Sequence, residues 1–294
     1  MGATRGQTEQ VALLVNDDGP WANGLSALRA ALRVQFARVI TIVPAADATG
    51  AGSSSSWASG VSVLPLTNDR SAPVYACTGM PVDCVRVGLL GPLASDAAVV
   101  VSGVNAGANL GSHVWYSGTV AAVLEAARLG VHGLAVSQQL QQGHFAFVDP
   151  PEDATPALYQ ATAQAAALVA ASLAELTEQD NPVVLNMNSP AKLDTRSFAV
   201  TSLDGHEVRR GSLRPLVEAG GAAQYLVYGD KDEEPGYRPT MRIGSDRWAL
   251  ESGHHSLSML SPELLGSCPP MPADFGHCLE RVERDGFRRI LHGN

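Results

Sequence analysis

The sequence predicts an α/β fold, a three-layer and mostly parallel sheet with helices on both faces. Three observations predict it. The apolar runs at residues 11–15, 38–43 and 97–102 are short and continuous rather than alternating, as expected of strands buried on both faces. Each run stops on a turn rich in Gly, Asp, Asn or Ser. Helical segments separate them, so that strand and helix alternate along the chain.

The first strand empties into Asn16-Asp17-Asp18-Gly19, after which Leu25, Leu28, Leu32 and Phe36 recur at helical spacing. Neighbouring carboxylates repel unless a proton or a cation lies between them. In an open parallel sheet, ligands bind outside the carboxyl ends of the strands. Asp17 and Asp18 therefore point to a hard-metal site with oxygen ligands suited to Mg²⁺ or Mn²⁺. A solvated Asp-Gly turn is the plainer alternative.

The second strand, residues 38–43, runs into a Gly- and Ser-rich loop over 44–56. Composition alone would allow a flexible spacer. Its position inside a strand-helix repeat, with Thr49 beside Gly50, favours a functional loop instead. Residues 82–90 suit a helix, with Asp83 placed to cap it or pair with its dipole. The third strand, 97–102, leads into a loop over 103–111 that holds Asn105 and Asn109. Ser117, Gly118 and Thr119 then precede an alanine-rich helix, so their hydroxyl and N–H groups form an anion site at a helix N-terminus. Helix capping would account for one of those hydroxyls, leaving the glycine-rich loop and an exposed Tyr-Ser-Gly-Thr turn unexplained.

Further along, residues 133–137 and 183–186 read as strands on either side of a long Ala/Leu helix over 156–175. Past about residue 190 the composition changes. Residues 204–246 suggest a projecting arm or hairpin, with a disordered insert as the plainer alternative, 244–260 an added strand and 274–287 a helix. The adjacent His254 and His255 would point to opposite faces of a strand and are read as structural. The expected division is a catalytic core over 1–190, followed by an arm, an added strand and a terminal helix for oligomerisation over 191–294.

Composition narrows the function. The chain has 294 residues, 45% hydrophobic and 17% charged, with a net charge of −9 and a pI near 5.3. That balance gives no general attraction for a nucleic acid polymer or an anionic membrane. The N-terminal segment is polar and lacks a signal-peptide core, and no apolar run approaches the roughly 20 residues of a membrane span. Cys77, Cys84, Cys268 and Cys278 have no close paired spacing, so neither a zinc site nor a disulfide framework is expected. A cytoplasmic, reduced setting follows as the expectation. Neither G-x-x-x-x-G-K-[ST] nor G-x-G-x-x-G occurs. Three strand exits converging on carboxylates, hydroxyls, carboxamides and an anion cradle suggest metal-assisted phosphoryl hydrolysis.

Four segments carry a family resemblance: Leu14-Val-Asn-Asp-Asp-Gly19, Thr78-Gly-Met-Pro-Val-Asp-Cys84, Val101-Ser-Gly-Val-Asn-Ala-Gly-Ala-Asn-Leu-Gly111 and Tyr116-Ser-Gly-Thr-Val-Ala-Ala122. In these the chain resembles the SurE survival-protein family over roughly residues 11–190. The resemblance implies a Rossmann-like core, an exchanged C-terminal tail and divalent-metal-dependent hydrolysis of nucleoside monophosphates. It implies Asp17, Asp18 and Asn105 as metal ligands. The family's fourth ligand is a Ser followed by Gly; the ungapped fit from Pro44 puts Thr49-Gly50 there, and a shifted fit would put Ala51-Gly52. Asn109 and Ser117, Gly118 and Thr119 match phosphate-binding elements, with Asn16 and Gly50 beside them. A homodimer or homotetramer and a small phosphomonoester substrate are implied as well. The alternatives are a phosphatase for a non-nucleotide metabolite and a metal- and phosphate-binding homologue with little turnover. A purely structural oligomerisation scaffold would leave the convergent site without a purpose.

Overall fold

The computed structural model describes residues 8–142, 150–151, 153–176, 181–192, 197–204, 214–219, 222–226 and 242–261. Its centre is a nine-stranded mixed sheet. In chain order the strands are β1 (Thr8–Val15), β2 (Phe36–Pro44), β3 (Val63–Pro65), β4 (Val74–Cys77), β5 (Ala97–Ala106), β6 (His132–Gln138), β7 (Val184–Ser189), β8 (Phe198–Thr201) and β11 (His255–Leu260). Across the sheet they lie in the order β3-β4-β2-β1-β5-β6-β7-β11-β8. Pairing is parallel except for β3 with β4 and β11 with β7.

The helices are α1 (Asn23–Gln35), α2 (Pro81–Leu90), α3 (Gly118–Arg128), α4 (Gln160–Ala174) and the short α5 (Asp246–Glu251). Helices α1 and α4 cover one face of the sheet, α2 and α3 the other. β1 shows the period of two that joins these layers. Ala12 and Leu14 face the α1/α4 core, while Val11, Leu13 and Val15 face the α2/α3 side. On α1, Leu25, Leu28 and Leu32 are buried along one stripe, as their spacing predicts. Phe36 lies past the helix end and opens β2.

Several expectations are corrected. β5 continues through Ala106, so Asn105 sits on a strand rather than in a loop. The segment 244–260 is not one strand; Ser245 caps α5, and only its second half forms β11. Ser117, Gly118 and Thr119 are buried, and only Tyr116 of that turn is exposed. The stretch Pro156–Ala174 does have the length and mean hydropathy of a membrane span, but 67% of it is buried inside the protein. Strands β3, β4 and β8, of three or four residues each, are too short to carry a period that the sequence shows.

The sheet runs on past residue 190 through β8 and β11. A separate antiparallel pair, β9 (Arg214–Ala219) with β10 (Ala222–Leu226), lies where the arm was expected. The tail helix over 274–287, and with it the exchanged tail, falls outside the described residues.

β1 is flanked by β2 on one side and β5 on the other. The chain builds outward from β1 toward β4 and then returns to build outward from β5 toward β7. The β1/β5 boundary is therefore the switch point of the sheet, where a crevice opens at the strand ends. Asp17 and Asp18 leave β1 there, and Asn105 stands near the end of β5.

Candidate active site

Asp17 is buried at 2% exposure and is gripped by the first turn of α3. Thr119 Oγ1 donates to Asp17 Oδ1 at 2.6 Å, and the Thr119 N–H donates to Oδ2 at 3.2 Å. Ser117 caps the same helix, its Oγ accepting from Val120 N–H at 3.1 Å, a contact type that contributes about 0.5–2 kcal/mol. Gly118 is where it is because nothing larger fits. A Cβ there would lie 2.9 Å from Asp17 Oδ2 and 3.1 Å from Pro81 Cγ. The anion at this helix N-terminus is thus the protein's own carboxylate.

Asp18, by contrast, lines an open cavity of about 450 Å³ together with Asp47, Thr49, Trp21 and Tyr159. Burial and the nearby charges of Asp17 and Asp47 push its carboxyl up to about 8, against a smaller opposing contribution from the Ala106 N–H. Asp17 is also raised, chiefly by burial, while the two Thr119 contacts oppose the shift. Tyr159 is pushed up to about 12 by burial and by the charge of Asp18. Among the described residues lining the cavity there is no Lys, Arg or His to balance these carboxylates.

The loop after β2 is held in place. Ala48 N–H donates to Asp17 O at 2.8 Å, Gly52 N–H to Tyr116 O at 3.0 Å, and Ser56 N–H to the Asp83 carboxylate at 3.1 Å. Asp83 also accepts from Met80 N–H at 2.9 Å, so it both caps α2 and fastens this loop. Within the loop, Asp47 Oδ1 accepts from the Thr49 N–H at 2.8 Å and the Thr49 hydroxyl at 2.6 Å. Of the two alignments of this loop, Thr49 is the residue that shares the cavity with Asp18, whereas Ala51 and Gly52 do not line it. Gly50 is exposed with φ +77°, a conformation that glycine adopts without strain.

Asn16 is fully buried; its Nδ2 donates to Gly19 O at 2.8 Å, bracing the turn, and its Oδ1 has no partner among the described residues. Asn105 Nδ2 donates to Gly107 O at 2.8 Å, and the next residue's N–H reaches Asp18. Asn109 Nδ2 donates to Ser137 Oγ at 2.9 Å. Its backbone is clamped from β7: Asn188 Oδ1 accepts from Asn109 N–H at 2.7 Å, and Asn186 Nδ2 donates to Asn109 O at 2.8 Å.

Sequence reasoning missed Asp47, Tyr159, Asn186 and Asn188. For Asp47 a signal existed, an acidic residue at the exit of the strand beside β1. Asn186 and Asn188 are polar positions alternating within an otherwise apolar strand, which marks one face. Nothing local distinguishes Tyr159.

The donors fit a hard divalent cation. They are all oxygens, and the buried Asp17 and half-buried Asp18 stand beside each other with no Lys, Arg or His among the described residues lining the cavity. Among the described residues no three His, Cys, Asp or Glu side chains gather at metal-ligating distance. A cation would therefore rest on Asp17 and Asp18, with neutral oxygens of Asn105 and Thr49 completing the set. The Thr49 proton is spent on Asp47, so a lone pair is what its hydroxyl has left to offer.

Fold and site together define a three-layer α/β protein with a carboxylate-lined crevice at the switch point of its sheet. The family model described as Survival protein SurE matches residues 12–210. A protein of Pseudomonas putida strain W619 named 5'-nucleotidase SurE is 36% identical over 286 residues, covering 96% of each chain. One of the same name from Rubrobacter xylanophilus is 34% identical over 261 residues, covering 86% of this chain and 91% of its own. The crystal structure of the SurE protein from Aquifex aeolicus superposes with a TM-score of 0.65 at 23% identity, over 95% of this chain and 99% of that one, a likeness of fold. This chain belongs to the SurE survival-protein family.

Proposed function

We propose that this protein is a divalent-metal-dependent phosphomonoester hydrolase whose substrates are nucleoside monophosphates. The observation that carries the reading is the Asp17–Asp18 pair at the sheet's switch point, Asp17 buried and Asp18 half-buried, with Asp18 opening on a substrate-sized cavity that no Lys, Arg or His among the described residues lines. Relatives that align with nearly the whole chain are named 5'-nucleotidase.

In this reading Asp17 is the fixed ligand, since both of its oxygens are bonded to Thr119. Asp18 faces the cavity and orients the attacking water. Asn105 and Thr49 complete the oxygen set. When bound, the cation, Mg²⁺ or Mn²⁺, supplies Lewis-acid polarisation of the phosphoryl group. Asn109, held by Ser137, Asn186 and Asn188, provides the rigid polar wall for the phosphoryl oxygens, while the first turn of α3 at Ser117, Gly118 and Thr119 acts through the Asp17 that it fixes. Asn16 and Gly50 shape the two turns on either side. The family resemblance further suggests a homo-oligomer, which sedimentation analysis tests.

The deciding experiment is phosphate release from nucleoside monophosphates, sugar phosphates and p-nitrophenyl phosphate with Mg²⁺, Mn²⁺ or EDTA. EDTA-sensitive release with nucleoside monophosphates ranked first is expected. Release ranked first for a sugar phosphate would move the substrate to another metabolite class. No release from folded protein with either metal would replace the enzyme by a metal- and phosphate-binding homologue.

A further inference from the structure

The apolar side of the cavity is not used by the chemistry. Trp21 lines it while remaining 84% exposed, so its ring is open to a ligand. It lies three residues beyond Asp18, within about 11 Å of it along the backbone. Pro20 and Pro150 line the same cavity, and Tyr159, buried at 2% exposure, is also part of its wall. Asn23 also lines it, and its Nδ2 donates to Ala154 O at 3.0 Å. That bond ties the start of α1 to the segment beyond Pro150.

We propose that Trp21 is the base-stacking platform of the substrate site, so that one cavity holds phosphate at its carboxylate end and a planar nucleobase at its aromatic end. The proposal rests on the phosphatase reading above and deepens it. Stacking on an indole requires only a π-face, which every base has, so it selects nucleotides over sugar phosphates without strongly selecting among bases. Larger purine rings gain more contact on the indole than pyrimidines.

The test compares AMP with ribose 5-phosphate, which carries the same phosphate and sugar but no base. Wild type, Trp21→Ala and Trp21→Phe are compared by kcat/KM with Mn²⁺ and by calorimetric binding, which needs no turnover. In Trp21→Ala the preference for AMP over ribose 5-phosphate is expected to fall roughly 5- to 150-fold, the range of a lost base–aromatic stack. Trp21→Phe should recover much of it.

Equal loss for both ligands, or an unchanged preference, would overturn the proposal. So would a changed sedimentation coefficient in Trp21→Ala with the preference intact, which would make this indole a contact between copies. Wild-type protein that releases phosphate from neither compound, yet binds AMP with a Trp21-dependent preference, would sink the phosphatase reading and leave the stacking platform standing. Absence of any AMP preference in wild-type binding would overturn the platform itself.

Discussion

Thr119 donates twice to Asp17, from its hydroxyl at 2.6 Å and its backbone N–H at 3.2 Å, so one residue of α3 sets the position of a carboxylate leaving β1. The two lie 102 residues apart in sequence. Thr119→Val keeps the N–H contact and the side-chain shape but removes the hydroxyl. Loss of such a supporting contact typically costs 10- to 100-fold in metal affinity or activity, so a drop of about that size is expected. Thr119→Ser should restore most of it. Metal titration and kcat measured on the three proteins check this, and a fully active Thr119→Val would contradict it.

Gly118 makes a steric prediction about the same carboxylate. In Gly118→Ala the new Cβ would sit 2.9 Å from Asp17 Oδ2 and 3.0 Å from its Cβ, so Asp17 must move. Displacements near 1 Å at a reacting centre can cost about 100-fold. Activity should fall by up to that factor while the circular dichroism spectrum keeps its α/β shape. A crystal structure of the variant with Asp17 unmoved would remove the basis of the prediction.

Asp18→Asn is expected to abolish phosphate release without unfolding the chain. It also carries a pH prediction whose sign is fixed by burial. Folding raises this carboxyl from 3.8 to about 8, so the metal-free folded state keeps a proton that the unfolded chain gives up. Stability of the metal-free protein should therefore fall as pH rises from about 4 to about 8, then level off. In Asp18→Asn that decline should be shallower, and urea midpoints between pH 5 and 9 measure it. Identical slopes would mean that Asp18 carries no such burden.

His255 bears on stability with the opposite sign. It is buried, bonds Ser189 Oγ through Nδ1 at 2.8 Å and stacks on Phe198. Burial, helped by His254, lowers it from 6.5 to about 4. The unfolded chain takes up a proton below about pH 6.5 that the folded state refuses until about pH 4. Its contribution is thus complete above 6.5 and lost as pH falls through that window. His255→Gln should flatten acid destabilisation between pH 6.5 and 4, measured as the difference in urea midpoint from wild type. Because Asp18 acts in the opposite direction over part of this range, the variants must be compared with wild type rather than one pH with another.

What was legible in the sequence was whatever short-range pattern encodes. Continuous apolar runs marked β1, β2 and β5, and helical spacing marked α1, because burial on both faces or along one stripe leaves a local signature. The polar exits of those strands pointed to Asp17, Asp18, Thr49 and Asn105, since parallel strands align their carboxyl ends. Short edge strands such as β3 and β8 carry too few residues to show a period. The hydroxyl turn before α3 was legible as an anion site. Which of its groups hold Asp17 is a matter of 102 residues of intervening chain.

By itself, then, the sequence determined the alternation of elements, the chemistry offered at each strand exit and the family. Only the tertiary structure decided that Asp47 joins the carboxylates, that Asn186 and Asn188 clamp Asn109, and that Trp21 and Tyr159 share one cavity with Asp18. The physical reason is one of range. Burial periodicity is written into neighbouring residues, whereas electrostatic repulsion, hydrogen-bond partnership and cavity shape depend on distances that exist only once the sheet has brought its strand ends together.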